Sequence, residues 1–261
     1  MTDYDSIKYE KTFLSQVIVR FDFLQFAPTD QIFTSKTEQN ILHRFPKKGM
    51  DQILRFNAIN VVLDPNNKMA QNAHSEYQDG IQREYVSSNQ KNKLNLSNKF
   101  LAIEITEYSD FETLQLWLQE IVLPFFLKNR LTVIRAGIRY INILKPDDVR
   151  IRKNFFTPEI AATLNTKTFK GNRDIVLSRT MHITEYQVGG LRLNFRYGLF
   201  NPQYPNQLLD TSFALDYDCY SDEPIDEAEG LLQFVAKGHE AIQMAFESSI
   251  TDSLRKVMNN G

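Results

Sequence analysis

TVIRAGIRYINIL, residues 132–144, alternates between two kinds of side chain: Ala136, Ile138 and Tyr140 on one parity, Arg135, Gly137 and Arg139 on the other. Successive residues of a strand point to opposite faces, so this is a long strand with one apolar side and one arginine-bearing side. QVIVRFDFLQF, residues 16–26, has the same character. Val17, Val19, Phe21 and Phe23 share one face; Ile18, Arg20, Asp22 and Leu24 share the other. The two segments align by eye, Val19-Arg20-Phe21 against Ile138-Arg139-Tyr140.

The same order of elements follows each of them. After the first come a helix from Asp30 to Arg44 and strands at Gln52–Leu63, Gln82–Ser87, Lys93–Leu96 and Phe100–Tyr108. The polar stretch DPNNKMAQNAHSEYQDG, residues 64–80, reads as a hairpin loop. A helix from Asp110 to Asn129 ends this half; Asp110 is placed to cap it, and Pro124 should end or bend it. After the second come a short helix opened by Pro158 and the loop TKTFKGNRD, residues 166–174. Strands then run at Ser178–Tyr186, Leu191–Phe200 and Ser212–Tyr220, the first pair joined at Gly189-Gly190. A long helical region from Glu223 to Met258 closes the chain, broken near Ser248–Asp252, where Ser249 or Thr251 can cap a last short helix.

The expected fold class is therefore α+β. Pseudo-duplicated β-α-β(3–4)-α halves, 13–130 and 131–261, form a curved, mainly antiparallel sheet with long helices on one face. Residues 1–12 are expected as a flexible tail. Duplication and convergent α+β grammar both account for the likeness of the halves, and both give this layering.

Composition narrows the function classes. The 261 residues carry a net charge of −2, which provides no global positive field for nucleic acid. Nineteen Phe and eleven Tyr against one Trp suit a ring-filled sheet core. Cys219 is the lone cysteine, so an internal disulfide is excluded; a buried apolar role is expected of it. No stretch approaches the ~18 consecutive apolar residues of a membrane span, and the opening residues lack a signal-peptide run. The expected compartment is the cytoplasm, without membrane association.

RAGIRYIN (135–142) and FESSITDSL (246–254) resemble motifs of a sporadically distributed family of bacterial proteins, of about this length and uncharacterised function. The resemblance implies the extent of the domain and an accessory or defence setting; it implies no activity. The order of elements is also similar to the duplicated saddle of the TATA-binding protein, and more loosely to helix-grip folds. That likeness concerns architecture only.

Period-two alternation gathers the polar strand residues on the side away from the apolar one. Arg20, Arg135, Arg139, His182, Arg192, Asn194, Arg196, Asp216 and Asp218 are expected there, with Asp22 and Glu104. A solvated sheet surface with cross-strand pairs worth about 0.2–1 kcal/mol each would account for them. A binding face would too. All five basic positions are Arg, the side chain whose planar fork suits carboxylate and phosphate.

Enzyme motifs are missing. His43, His74, His182 and His239 have no zinc-ligand spacing, and GxGxxG, GxxxxGK[ST] and GxSxG do not occur. No cofactor, metal or catalytic residue is assigned. His239 is expected at a core edge or facing solvent. The basic run at Arg150, Arg152 and Lys153 precedes Phe155-Phe156, two rings expected to anchor the next helix. The leading expectation is a non-enzymatic binding or adaptor protein, its arginine-bearing face holding an anionic ligand, a peptide or a protein partner. A nucleic-acid-binding protein and a motif-less enzyme centred on His182, beside Arg192 and Asp216, are the alternatives. The oligomeric state is left open.

Overall fold

A computed structural model describes residues 7–61, 73–145, 151–164, 176–209 and 212–259. The two decisive segments form β1 (Leu14–Phe23) and β6 (Val133–Leu144), which pair antiparallel at the middle of one large open sheet. In chain order the other strands are β2 (Lys47–Val61), β3 (Ala73–Val86), β4 (Asn92–Ser97), β5 (Phe100–Ile105), β7 (His182–Val188), β8 (Leu191–Leu199) and β9 (Phe213–Ser221). The nine lie in the order β2-β3-β4-β5-β1-β6-β9-β8-β7, and every neighbouring pair is antiparallel.

The register sorts side chains as the alternation implies. Val19 sits opposite Ile138 and Val17 opposite Tyr140, while Arg20 meets Gly137. Val17, Val19, Phe21 and Ile138 are buried. Rings continue this core: Phe195 stacks on Tyr217 with centroids 4.5 Å apart, and Phe23 meets Phe125 at 5.9 Å. Cys219 is buried in the same layer, where desolvation pushes its thiol up to about 12.

Helices form where apolar residues recur at helical spacing and a cap is present. α1 (Thr29–Ile32) and α2 (Ser35–Arg44) replace the one helix expected here; Thr34, between them, accepts a bond from the Thr37 amide and caps α2. α3 (Phe111–Trp117) is capped by Asp110, which accepts a 2.6 Å bond from the Thr113 amide. Pro124 does not end the helical run. A π-helical turn at Leu118–Val122 precedes α4 (Leu123–Asn129), so the proline falls in α4's first turn, where its missing N–H costs least. Arg130, at φ +49°, stops the run in the left-handed region. After α5 (Pro158–Ala162), the closing region is two helices, α6 (Ala228–Ser249) and α7 (Asp252–Asn259).

α6 packs against β6, β8 and β9. The close approach needs Gly238: a Cβ there would lie 2.5 Å from Ile138 Cγ2. Between α6 and α7, Ile250 bridges Phe156, and Phe155 and Phe156 are both buried as anchors. Thr251 caps differently from the expectation, since its hydroxyl donates to the Asn154 carbonyl and fastens that loop.

Several expectations are corrected. Residues 7–12 are not loose: Tyr9 donates to Glu247 Oε1 at 2.7 Å and the Lys11 amide to the Met258 carbonyl at 2.9 Å. Residues 73–80, read as loop, are strand, paired with β2 out to Ala73. β4 pairs with Gln82–Val86, so among the described strands this far end pairs with β2 alone. Residues 64–72, Arg150 and the loop 166–174 lie outside the described residues. No helix among the described residues is long and apolar enough to cross a membrane.

Gly238→Val should lower the urea midpoint by an amount equivalent to about 1–3 kcal/mol, the usual cost of overpacking. An unchanged midpoint would mean that α6 does not bear on Ile138.

Candidate functional site

The arginine-bearing face is built from four adjacent strands. β1 supplies Arg20 and Asp22, β6 Arg135 and Arg139, β9 Asp216 and Asp218, and β8 Arg192, Asn194 and Arg196. Arg139 lies opposite Asp218, Arg196 opposite Asp216, and Asn194 opposite Asp218, so all of these side chains share one side. The sheet thus brings together eight of the nine expected residues.

His182 is the exception. It pairs in register with Tyr197 and Thr184 with Phe195, which places both on the opposite face. The imidazole stacks on the Tyr197 ring at 5.4 Å. β7 is an edge strand exposed on both sides, so its alternation carries no apolar parity from which to assign a face. The constellation of His182 with Arg192 and Asp216 is not formed.

The guanidinium groups are engaged by carboxylates. Arg139 grips Asp216 with two bonds, Nε at 2.7 Å and Nη2 at 2.6 Å. This pairing raises the Arg139 guanidinium above its ordinary value. Arg196 reaches Asp216 at 3.5 Å and Asp218 at 3.3 Å. Arg20 binds Asp22 through Nε and Nη2 at 3.0 and 2.7 Å while lying 4.1 Å over the Phe100 ring. Arg135 stacks 4.8 Å over Tyr220, and Arg135 and Arg192 both flank Asp222 at 3.8 Å. Exposure is graded: the Asp216 side chain is 7% exposed, Arg20 43% and Arg192 62%. Asn194 Oδ1 is buried within this face and has no hydrogen-bond partner among the described residues.

A second site lies on the other side of the sheet. A cleft of about 680 Å³ opens between the start of α3, α6, the end of α7, residues 7–12 and the β6 residues Tyr140 and Asn142. A chain of hydrogen bonds runs along its wall. The Tyr108 and Tyr140 hydroxyls are 3.0 Å apart, and the Tyr140 hydroxyl is 2.8 Å from His239 Nδ1. The imidazole of His239, only 7% exposed, stacks on Phe111 with centroids 4.0 Å apart and planes 6° from parallel. At one end Glu247, also buried, accepts from Tyr9 and pairs with Arg255 Nε at 2.8 Å. Burial and the Glu247 carboxylate both push the Tyr9 hydroxyl well above its ordinary value, so it stays a donor.

Of the two expectations for His239, solvent is corrected: it is buried and bonded, at the edge of the core where the cleft opens. Its helical spacing carried a signal. Val235, His239, Ile242 and Phe246 recur at intervals of four, three and four, placing the histidine on the helix's apolar stripe. Among the described residues, no three His, Cys, Asp or Glu side chains are grouped to hold a metal ion. No protein-family model matches the chain, and no curated protein matches it.

Arg139→Gln with Arg196→Gln would strand the buried Asp216 carboxylate. Breaking a buried pair costs about 3–5 kcal/mol, and the partial exposure of Arg139 puts this case at the low end. Adding Asp216→Asn should recover most of the loss. Thermal midpoints of the two variants check this; a double variant as stable as the parent would remove the structural role.

Proposed function

We propose that the protein is a non-enzymatic binding protein whose arginine-bearing sheet face holds a protein partner. The observation that carries this is where the hydrogen-bonding capacity is spent. Asp22, Asp216 and Asp218 are bonded to arginines within the face. Arg20 and Arg139 each use Nε and Nη2, and among the described residues their Nη1 groups bond to nothing. Arg135 and Arg192 reach Asp222 only at 3.8 Å. These half-exposed arginine donors, with Glu185 exposed beside them opposite Asn194, suit the carbonyls, carboxylates and amides of a peptide segment, and arginine is enriched at such interfaces. Five arginines lie among six carboxylates, Asp22, Glu104, Glu185, Asp216, Asp218 and Asp222, so no net positive field remains to draw a polyanion; this weighs against the nucleic-acid alternative. The placement of His182 weighs against the enzyme alternative.

The architecture is part of the same proposal. We read 13–130 and 131–261 as two similar halves with their long helices on the apolar face. In support, the first strand of each half, β1 and β6, meet at the centre, and the last strand of each, β5 and β9, flank them. The similarity to the TATA-binding-protein saddle and to the bacterial family, a cytoplasmic setting and an accessory or defence role belong to this proposal.

Arg20→Gln, Arg135→Gln and Arg192→Gln together test the face without stranding a buried charge. Exposed pairs are worth about 0–1 kcal/mol each, so the thermal midpoint should move by only a few degrees. A partner enriched by the tagged parent from its native host should be lost by the triple variant. Equal recovery of that partner, or no enrichment over an untagged control, would refute the assignment.

A further inference from the structure

We infer that the cleft between α3, α6 and β6 is a binding site for an uncharged organic molecule carrying a carbonyl or hydroxyl group. It lies on the opposite side of the sheet from the arginines and does not depend on them. Its volume of about 680 Å³ falls within the roughly 300–1,000 Å³ range of small-molecule sites. Phe111, Tyr140, Ile242 and Phe246 give it apolar and aromatic walls. Tyr108, Tyr140 and His239 give it a bonded chain whose hydroxyl groups both donate and accept. Such a chain reorients to take a carbonyl as readily as a hydroxyl.

The charge distribution selects a neutral ligand. Within the cleft the one buried ionisable carboxylate, Glu247, is committed to Arg255 and Tyr9. The other charges on its lining are Lys8, Lys237, Asp110, Glu112 and Glu240, of both signs and none buried. Apart from the His239 imidazole, which the Tyr140 hydroxyl and the Phe111 ring engage, the ionisable group buried in the cleft is the paired Glu247, and burying an unpaired ion is costly. Asn142 adds a buried amide whose bond among the described residues is a long one, 3.5 Å to the Leu215 carbonyl, leaving it able to improve its bonding to a guest.

The full chain would be titrated with 6-propionyl-2-(dimethylamino)naphthalene, a neutral, carbonyl-bearing, polarity-sensitive fluorophore, alongside the anionic 8-anilinonaphthalene-1-sulfonate. The expected result is saturable one-site binding of the neutral probe with blue-shifted emission. Tyr140→Phe should weaken it about tenfold, the equivalent of one hydrogen bond. Gln115→Trp, at a half-buried position on α3, should abolish it by filling the cleft while circular dichroism stays unchanged. Should Tyr140→Phe not fold, Gln115→Trp decides alone. The triple arginine variant should bind the probe as the parent does. No saturable binding, binding that survives Gln115→Trp, or tighter binding of the anionic probe would overturn the inference.

Discussion

The pairing of β1 with β6 is the constraint on which the rest of the molecule depends. It holds the two flanks of the sheet in one register, with Val19 against Ile138 and Arg20 against Gly137. Because side chains alternate with a period of two, a slip of one residue would turn Arg20 into the ring-filled core and Val19 toward solvent. The burial of Val17, Val19 and Ile138 fixes the register against that slip. It thereby fixes the places of the arginines on one side and of Tyr140 on the other. Both candidate sites are consequences of one strand pair.

The two candidate sites handle polar groups differently. On the arginine side, charge is met by charge across neighbouring strands, and only Asp216 is taken nearly out of water. Its two guanidinium partners come from β6 and β8, on either side of its own strand, so the ion pairs also tie three strands together. The helix side has an ion-pair network of its own, in which Arg83 of β3 meets Asp51 of β2 and Glu38 of α2. Around the cleft the polar groups are linked in series, Tyr108 to Tyr140 to His239, from a loop, a strand and a helix, with the Glu247–Arg255 ion pair at one end. A low dielectric strengthens such a chain and makes an unmet member costly.

How much of this was legible in the sequence follows from which segments have one buried side. β1, β6, β8 and β9 do, and their alternation located both the strands and eight of the nine expected face residues. β7 is exposed on both sides, so nothing in HITEYQV distinguishes the face of His182 from that of Ile183. The far end of β3 pairs with β2 alone among the described strands and reads as polar loop. The cleft was illegible for another reason. Its chain joins residues 32 and 99 positions apart, each of which alone looks like an ordinary core member. Period-two patterning reports which side a residue takes. It does not report that two helices leave room between them, nor that Asp216 rather than solvent meets Arg139.

The FESSITDSL motif shows how a closing segment bears on a site it does not contain. Phe246 and Glu247 line the cleft, yet the residues that follow are occupied with the loop at 154–157 and with α7. Thr251 fastens to Asn154, and the Thr157 amide donates to the Ser249 carbonyl at 3.1 Å. Arg255, one turn into α7, returns to Glu247 both through the carboxylate and through the backbone carbonyl. Glu247 in turn receives Tyr9. The carboxylate is thus a junction between three segments: the N-terminal stretch, the end of α6 and the start of α7. Its burial is tolerable because Arg255 neutralises it and Tyr9 supplies a further bond. A cleft whose end wall is a satisfied ion pair keeps its shape without a ligand, so little of a guest's binding energy would go into ordering that wall.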